Sequence, residues 1–176
     1  SWGPQLMSKM TSLPIVKKQL YSSDQRKRRD ESIWTTVQGI LAPVQFIVFL
    51  VSVYFIVVFL LTGDGYREAA SSVVIKTIVL LTIMVTGAIW EKAVFGRYLL
   101  APAFFWEDVV SFFVIAFHIA YVFVLAANVF SSKTQIVIAV IAYILYLINA
   151  IQFLVKFRSA RITANLVPES EKEAVA

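Results

Sequence analysis

Long uncharged apolar runs alternate with short charged connections along this chain. No acidic or basic residue stands between Glu31 and Asp64, between Lys76 and Glu91, between Asp108 and Lys133, or between Lys133 and Lys156. A helix needs about 20 mostly apolar residues to cross a bilayer, and three of these runs are long enough. The run at 77–90 is shorter. It reaches span length only if its helix starts near Ala69 and Lys76 snorkels its ammonium group outward. The pattern predicts four transmembrane helices, at 39–62, 70–91, 108–130 and 134–157.

Helices are required because hydrocarbon offers no water to backbone N–H and C=O groups. A membrane barrel would alternate apolar and polar residues. FIVFLVSVYFIVVFLL, residues 46–61, is apolar on every face, which rules the barrel out. Thr62-Gly63-Asp64-Gly65 ends the first span with glycines suited to a C-terminal cap. Ser131-Ser132 marks a tight turn, so the third and fourth spans should be antiparallel neighbours. Pro43 should kink the first span or mark its true start.

Composition agrees with this reading. The chain is 59% apolar, against about 45–50% in soluble domains, and its mean hydropathy is +0.77. The expected architecture is an all-α integral membrane protein, a four-transmembrane-helix bundle. A basic N-terminal segment (1–36) precedes the membrane domain (37–160), and a short tail (161–176) follows it.

Charge distribution orients the bundle. Lys9, Lys17, Lys18 and Arg26-Lys27-Arg28-Arg29 precede the spans; Lys92 and Arg97 lie in the 92–107 hinge; Lys156, Arg158, Arg161 and Lys172 close the chain. Those 13 basic residues share one side, against Arg67 and Lys133 in the opposite loops. The positive-inside rule then places both termini and the hinge in the cytoplasm. A basic cluster beside a span is a topology signal or a lipid anchor, so membrane lipid is an expected partner and nucleic acid is not.

The chemistry available is narrow. Without cysteine and with one histidine, thiolate catalysis, iron–sulfur clusters and histidine-rich metal boxes are excluded, and no metal ligands are assigned. No glycine-rich phosphate loop is present. What stands out is WEKAVFGRYLLAPAFFWEDV, residues 90–109, which sets Glu91, Lys92, Arg97, Glu107 and Asp108 among aromatic residues between two spans. Charges beside hydrocarbon cost several kcal/mol each unless paired or used. A return hinge should gather Glu91, Glu107 and Asp108, and carboxyl groups crowded in a low dielectric favour keeping one neutral and able to donate. Lys92 or Arg97 could hold another carboxylate ionised or bind an anionic substrate group. The plainer alternative makes Glu107 and Asp108 helix N-terminal acids and the tryptophans interfacial anchors.

Polar residues also align inside the predicted bundle. Glu107, Ser111 and His118 share a face of the third span, with Tyr121 near it. Tyr146, Asn149, Gln152 and Lys156 form a stripe on the fourth span; Gln38, Gln45 and Ser52 form one on the first. Such stripes can simply be interhelical hydrogen bonds, worth on average about 0.6 kcal/mol each. His118, an ionisable group in mid-span, is a functional candidate by default.

Two segments, LYSSDQRKRRDESIWTTVQGILAPVQFIVFLVS (20–52) and VIKTIVLLTIMVTGAIWEKAVFGRYLLAPAFFWEDVVSF (74–112), closely resemble the vinyl chlorophyllide/bacteriochlorophyllide hydratases, as does NAIQFLVKFRSAR (149–161). The resemblance covers about residues 20–162. It implies a hydro-lyase of bacteriochlorophyll biosynthesis that adds water across the ring-A vinyl group of a magnesium chlorin, giving a 1-hydroxyethyl group. No cofactor is then required, since magnesium arrives on the tetrapyrrole. The substrates are the chlorin and water, with other pigment-biosynthesis enzymes and further copies of the chain as candidate partners.

That chemistry needs an acid, a group that orients water and an apolar slot for the ring. The candidates for catalysis are Glu91, Glu107, Asp108 and His118; those for substrate binding are Trp90, Lys92, Arg97, Trp106, Ser111, Tyr121 and Asn149. A tension remains between two of them. Eleven helical residues place His118 about 16 Å from Glu107, so magnesium ligation by His118 and proton transfer by Glu107 require the ring to stand along the membrane normal. The competing function is a non-catalytic pigment-binding or assembly subunit that uses His118 as an axial ligand.

Overall fold

In the computed structural model, residues 19–166 are described, and among them every regular element is helical. Lys9, Lys17, Lys18 and Lys172, which contribute to the charge argument, lie outside the described residues. The order is α1 (Ser23–Glu31), α2 (Ile33–Thr62), α3 (Tyr66–Phe95), a tight helical turn (Pro102–Phe104), α4 (Phe105–Ala126) and α5 (Ser132–Asn165). Helices α2 to α5 are each long and apolar enough to cross a membrane.

Local chemistry sets the ends of these helices. Ser22 and Gln25 form a reciprocal capping box at the start of α1, and the Ser32 hydroxyl accepts from Trp34 N–H at the start of α2. Gly63 closes α2 at φ 78°, where its N–H reaches Phe59 O at 2.8 Å. Gly96 closes α3 in the same way at φ 81°. Ser131 caps α5 by accepting from Thr134 N–H. Pro43 is neither a boundary nor a start: α2 begins ten residues earlier and continues through it. The proline ring bears on the carbonyl of the residue four positions before, which is Gly39.

The helices pair as two antiparallel hairpins, α2 along α3 and α4 along α5, as the Ser131-Ser132 turn predicts. The hairpins meet mainly through long side chains. Phe49, Lys76, Leu80, Val114, His118, Tyr121, Tyr143 and Tyr146 fill the space between them and are buried. Outward faces carry exposed Ile, Leu, Val and Phe, the surface expected against lipid.

Three features depart from the sequence expectations. Lys76 does not snorkel; it is 0% exposed and points into the bundle. Part of the basic N-terminal segment is the ordered helix α1, folded against the end of α3. There Arg28 Nε donates to Val94 O at 3.0 Å, and Tyr21 stacks on Phe95 beneath the Arg29 guanidinium. At the other end of the chain, α5 runs on to Asn165, past the start of the expected tail.

Candidate active site

The hinge folds because Gly96 stops α3 and the turn at Pro102–Phe104 starts α4. The five residues between them reverse the chain. This reversal brings Glu91, at the end of α3, beside Asp108, in the first turn of α4, with the two carboxyl groups in hydrogen-bond reach of each other. Backbone donors from the hinge hold both. Ala101 N–H donates to Glu91 Oε1 at 2.6 Å, and Leu100 N–H donates to Asp108 Oδ2 at 2.7 Å. Leu100 adopts φ 58° to aim its N–H there, a left-handed conformation that a branched side chain normally avoids.

Glu107 takes a different partner. Its Oε1 forms an ion pair with Lys156 Nζ at 2.7 Å, and Lys156 also donates to Ala103 O. Glu107 Oε2 is buried and has no hydrogen-bond partner among the described residues. The backbone carbonyl of Glu107 accepts from Ser111 Oγ (2.8 Å) and Asn149 Nδ2 (2.9 Å), and Ser111 also donates to Asn149 Oδ1. Glu107 and Lys156 open onto a groove of about 680 Å³ along α5, lined also by Ile148, Ile151, Gln152 and Ser159. That volume lies in the usual range of small-molecule sites, about 300–1,000 Å³.

The three acidic residues therefore gather as expected but divide into a backbone-held pair and a lysine-paired single acid. Arg97 is exposed at the hinge, close enough for its charge to act on Glu91. Lys92 is exposed and donates to Gly96 O at 2.8 Å. The two tryptophans part company. Trp106 is 69% exposed. Trp90 is buried against Phe95, Phe104 and Phe157 and donates to Thr35 Oγ1 at 2.9 Å, so it offers no free ring face.

His118 and Tyr121 belong to a separate interior group. His118 Nδ1 bonds to Val114 O at 2.7 Å, and its Nε2 bonds to Lys76 Nζ at 3.0 Å. Donation from Nδ1 leaves Nε2 as the acceptor, so Lys76 is the donor in that pair. The Lys76 nitrogen also sits 3.8 Å from the Tyr146 ring centroid and 4.7 Å from that of Tyr143. Both imidazole nitrogens are thus engaged by protein. Tyr121 lies deeper, its hydroxyl without a partner among the described residues.

Sequence reasoning missed Lys76 as an interior residue and Lys156 as the partner of Glu107. A signal for Lys76 was present: Ala69, Val73, Lys76 and Leu80 recur at helical spacing and all are buried. For Lys156 the signal was its place on the Asn149 stripe.

The family profile for 2-vinyl bacteriochlorophyllide hydratase matches residues 21–159. A protein of that name from Rhodobacter capsulatus is 57% identical over 148 residues, covering 84% of this chain and 86% of the relative. One from Cereibacter sphaeroides is 55% identical over 152 residues, covering 86% of this chain and 94% of the relative. No solved structure matches the chain. With the match extending across all four long helices and the hinge, the chain belongs to the 2-vinyl bacteriochlorophyllide hydratase family.

Proposed function

We propose that this protein hydrates the ring-A vinyl group of a magnesium chlorin, a chlorophyllide or bacteriochlorophyllide, to a 1-hydroxyethyl group. The observation that carries the reading is identity above one half with hydratases of that name over most of both chains. The hinge supplies chemistry suited to it. A hydrogen bond between the Glu91 and Asp108 carboxyl groups carries one proton, and that proton goes to the terminal vinyl carbon. The carbon next to the ring becomes cationic and shares its charge with the macrocycle. Glu107, paired with Lys156, takes a proton from water as the water oxygen bonds to that carbon. Passage of the proton from Glu107 to its neighbour Asp108 restores the starting state. Acid–base assistance of this kind is typically worth about 10²–10⁴-fold.

The groove beside Glu107 and Lys156 accommodates the flat ring, with exposed Trp106 as a contact and Arg97 or Lys92 holding the substrate carboxylate. Ser111 and Asn149 position Glu107 through its carbonyl, and Trp90 shapes the hinge from within. In this reading His118 does not ligate the substrate magnesium, because both its nitrogens are committed, and Tyr121 stands about 21 Å from Glu107 along the helix. Magnesium is carried by the substrate and no further cofactor is used. The termini and hinge face the cytoplasm of the inner membrane, where other pigment enzymes would hand over a chlorin with an apolar ring and charged edge.

Membranes containing the protein, given vinyl pigment in ¹⁸O water, should yield a hydroxyethyl product carrying the label. Stable pigment binding without labelled product would instead identify a pigment carrier. Glu107→Gln should keep pigment binding and lose about 10²-fold or more in turnover. Turnover that survives this substitution would move the base to another residue.

A further inference from the structure

The side chain of Gln45, on α2, is 1% exposed, and neither its amide oxygen nor its nitrogen has a hydrogen-bond partner among the described residues. Buried amides of this kind are rare, since both groups give up hydration without compensation. Nothing in the packing of α2 requires a polar residue at this position. Phe49, Ile56 and Phe59 occupy the same face and are satisfied as hydrocarbon.

The register between helices says what Gln45 faces. On α2, Ser52 meets Tyr143 of α5 at 2.5 Å and Phe49 meets Tyr146 with ring centroids 5.0 Å apart. Because α2 and α5 run in opposite directions, the next turn of each helix toward the hinge brings Gln45 to the level of Asn149. Asn149 is the residue that, with Ser111, binds the carbonyl of Glu107. Glu107 Oε2 is a further buried oxygen without a protein partner at this end of the bundle. An unpaired carboxamide thus stands at the level of the Ser–Asn pair that holds the Glu107 carbonyl, and the same residue, Glu107, carries an unpaired carboxylate oxygen.

We propose that Gln45 helps to bind the water that is the second substrate, holding it on the interior side of Glu107. This rests on the hydratase reading and extends it, because the reading places no residue on α2 in the site. A carboxamide suits this role, since it donates to and accepts from water at once, and a buried water typically needs about three such bonds. Glu107 Oε2 is then the acceptor for the proton that the water gives up, and the chlorin approaches from the groove on the other side. Access of water from within the bundle also keeps it off the apolar face of the ring.

Gln45→Met and Gln45→Ala test the assignment with wild-type protein as control. Met keeps the side-chain length and removes the unpaired groups, so the variant should fold at least as well as wild type in detergent. Its turnover should fall by about 10²-fold, with KM for pigment within about twofold. Gln45→Ala opens room for a methyl group. In dilute methanol it should form the 1-methoxyethyl ether in greater proportion to the hydroxyethyl product than wild type does, a partition that loss of stability alone would not move. Wild-type turnover in both variants, with an unchanged ether proportion, would overturn the role of Gln45. Absence of hydration by wild type would instead overturn the hydratase reading. If Gln45→Met fails to fold, the ether proportion in Gln45→Ala decides the question alone.

Discussion

Lys76 and His118 are individually costly and jointly tolerable. Each is 0% exposed, and the lysine nitrogen finds a ring nitrogen and two tyrosine faces where water would otherwise be required. Removing one partner is therefore worse than removing both. His118→Leu should destabilise the protein by about 1–3 kcal/mol by stranding a buried donor. The double variant Lys76→Met/His118→Leu should recover most of that loss, which unfolding in detergent would measure as a double-mutant cycle. The double variant should also keep hydrating the pigment; loss of turnover in a folded double variant would return His118 to the active site. The sequence made His118 conspicuous but left Lys76 looking like an interfacial residue. Whether a lysine snorkels or turns inward depends on what another helix offers it, and helical periodicity within one segment does not carry that information.

At the scale of elements, the hinge works because α3 stops where it does. Gly96 stands at φ 81°, and a methyl group there would touch nothing within 4 Å, so the cost of Gly96→Ala is the backbone conformation alone. That cost is about 1–2 kcal/mol. Since the N–H groups serving Glu91 and Asp108 come from the next five residues, the same change should lower turnover as well as stability. A paired measurement of activity and melting temperature checks both. Helix α1 braces this region from outside the bundle. Burial of Tyr21 pushes its phenol above the ordinary value, while the Arg29 charge opposes the shift. A raised value means that the contribution of Tyr21 is intact below about pH 10, the ordinary tyrosine range, and is lost as pH rises through the higher folded value. Protease cleavage within α1 should therefore stay slow up to that pH and quicken above it. The four long helices were legible from uncharged runs because the bilayer imposes their length. Helix α1 was not, because it is charged, has no buried residue of its own, and shows as a helix only through its cap and its seat on α3.

Considered whole, the molecule is two helical hairpins joined by side chains more than by close backbone packing. Polar pairs such as Lys76–His118 and Ser52–Tyr143 cross between the hairpins, and the outward faces are apolar. The arrangement places α1, the hinge and the end of α5 at one end of the bundle, with Asp64 and Asn128 at the other. The chain has no cysteine, so single cysteines report sidedness without background. In intact cells Asp64→Cys and Asn128→Cys should react with an impermeant maleimide, and Arg97→Cys should react only after lysis. The reverse pattern would invert the orientation read from the basic residues. Fold class was readable from composition because hydrocarbon allows so few solutions. The division of the acids into a pair and a single acid was not, because it depends on a reversal of five residues and on Lys156, nearly fifty positions away from Glu107.

The two N–H groups that grip Glu91 and Asp108 have a consequence for experiment. They belong to the peptide chain, so no replacement of one side chain by another removes them. An alanine scan across 98–100 would leave both N–H groups in place and would not report them. Proline is the substitution that deletes an N–H. Ala101 stands at φ −58°, which proline accepts. Ala101→Pro would thus release one oxygen of Glu91 with every acid in the hinge still present, and by disfavouring the left-handed Leu100 before it would also loosen the N–H that serves Asp108.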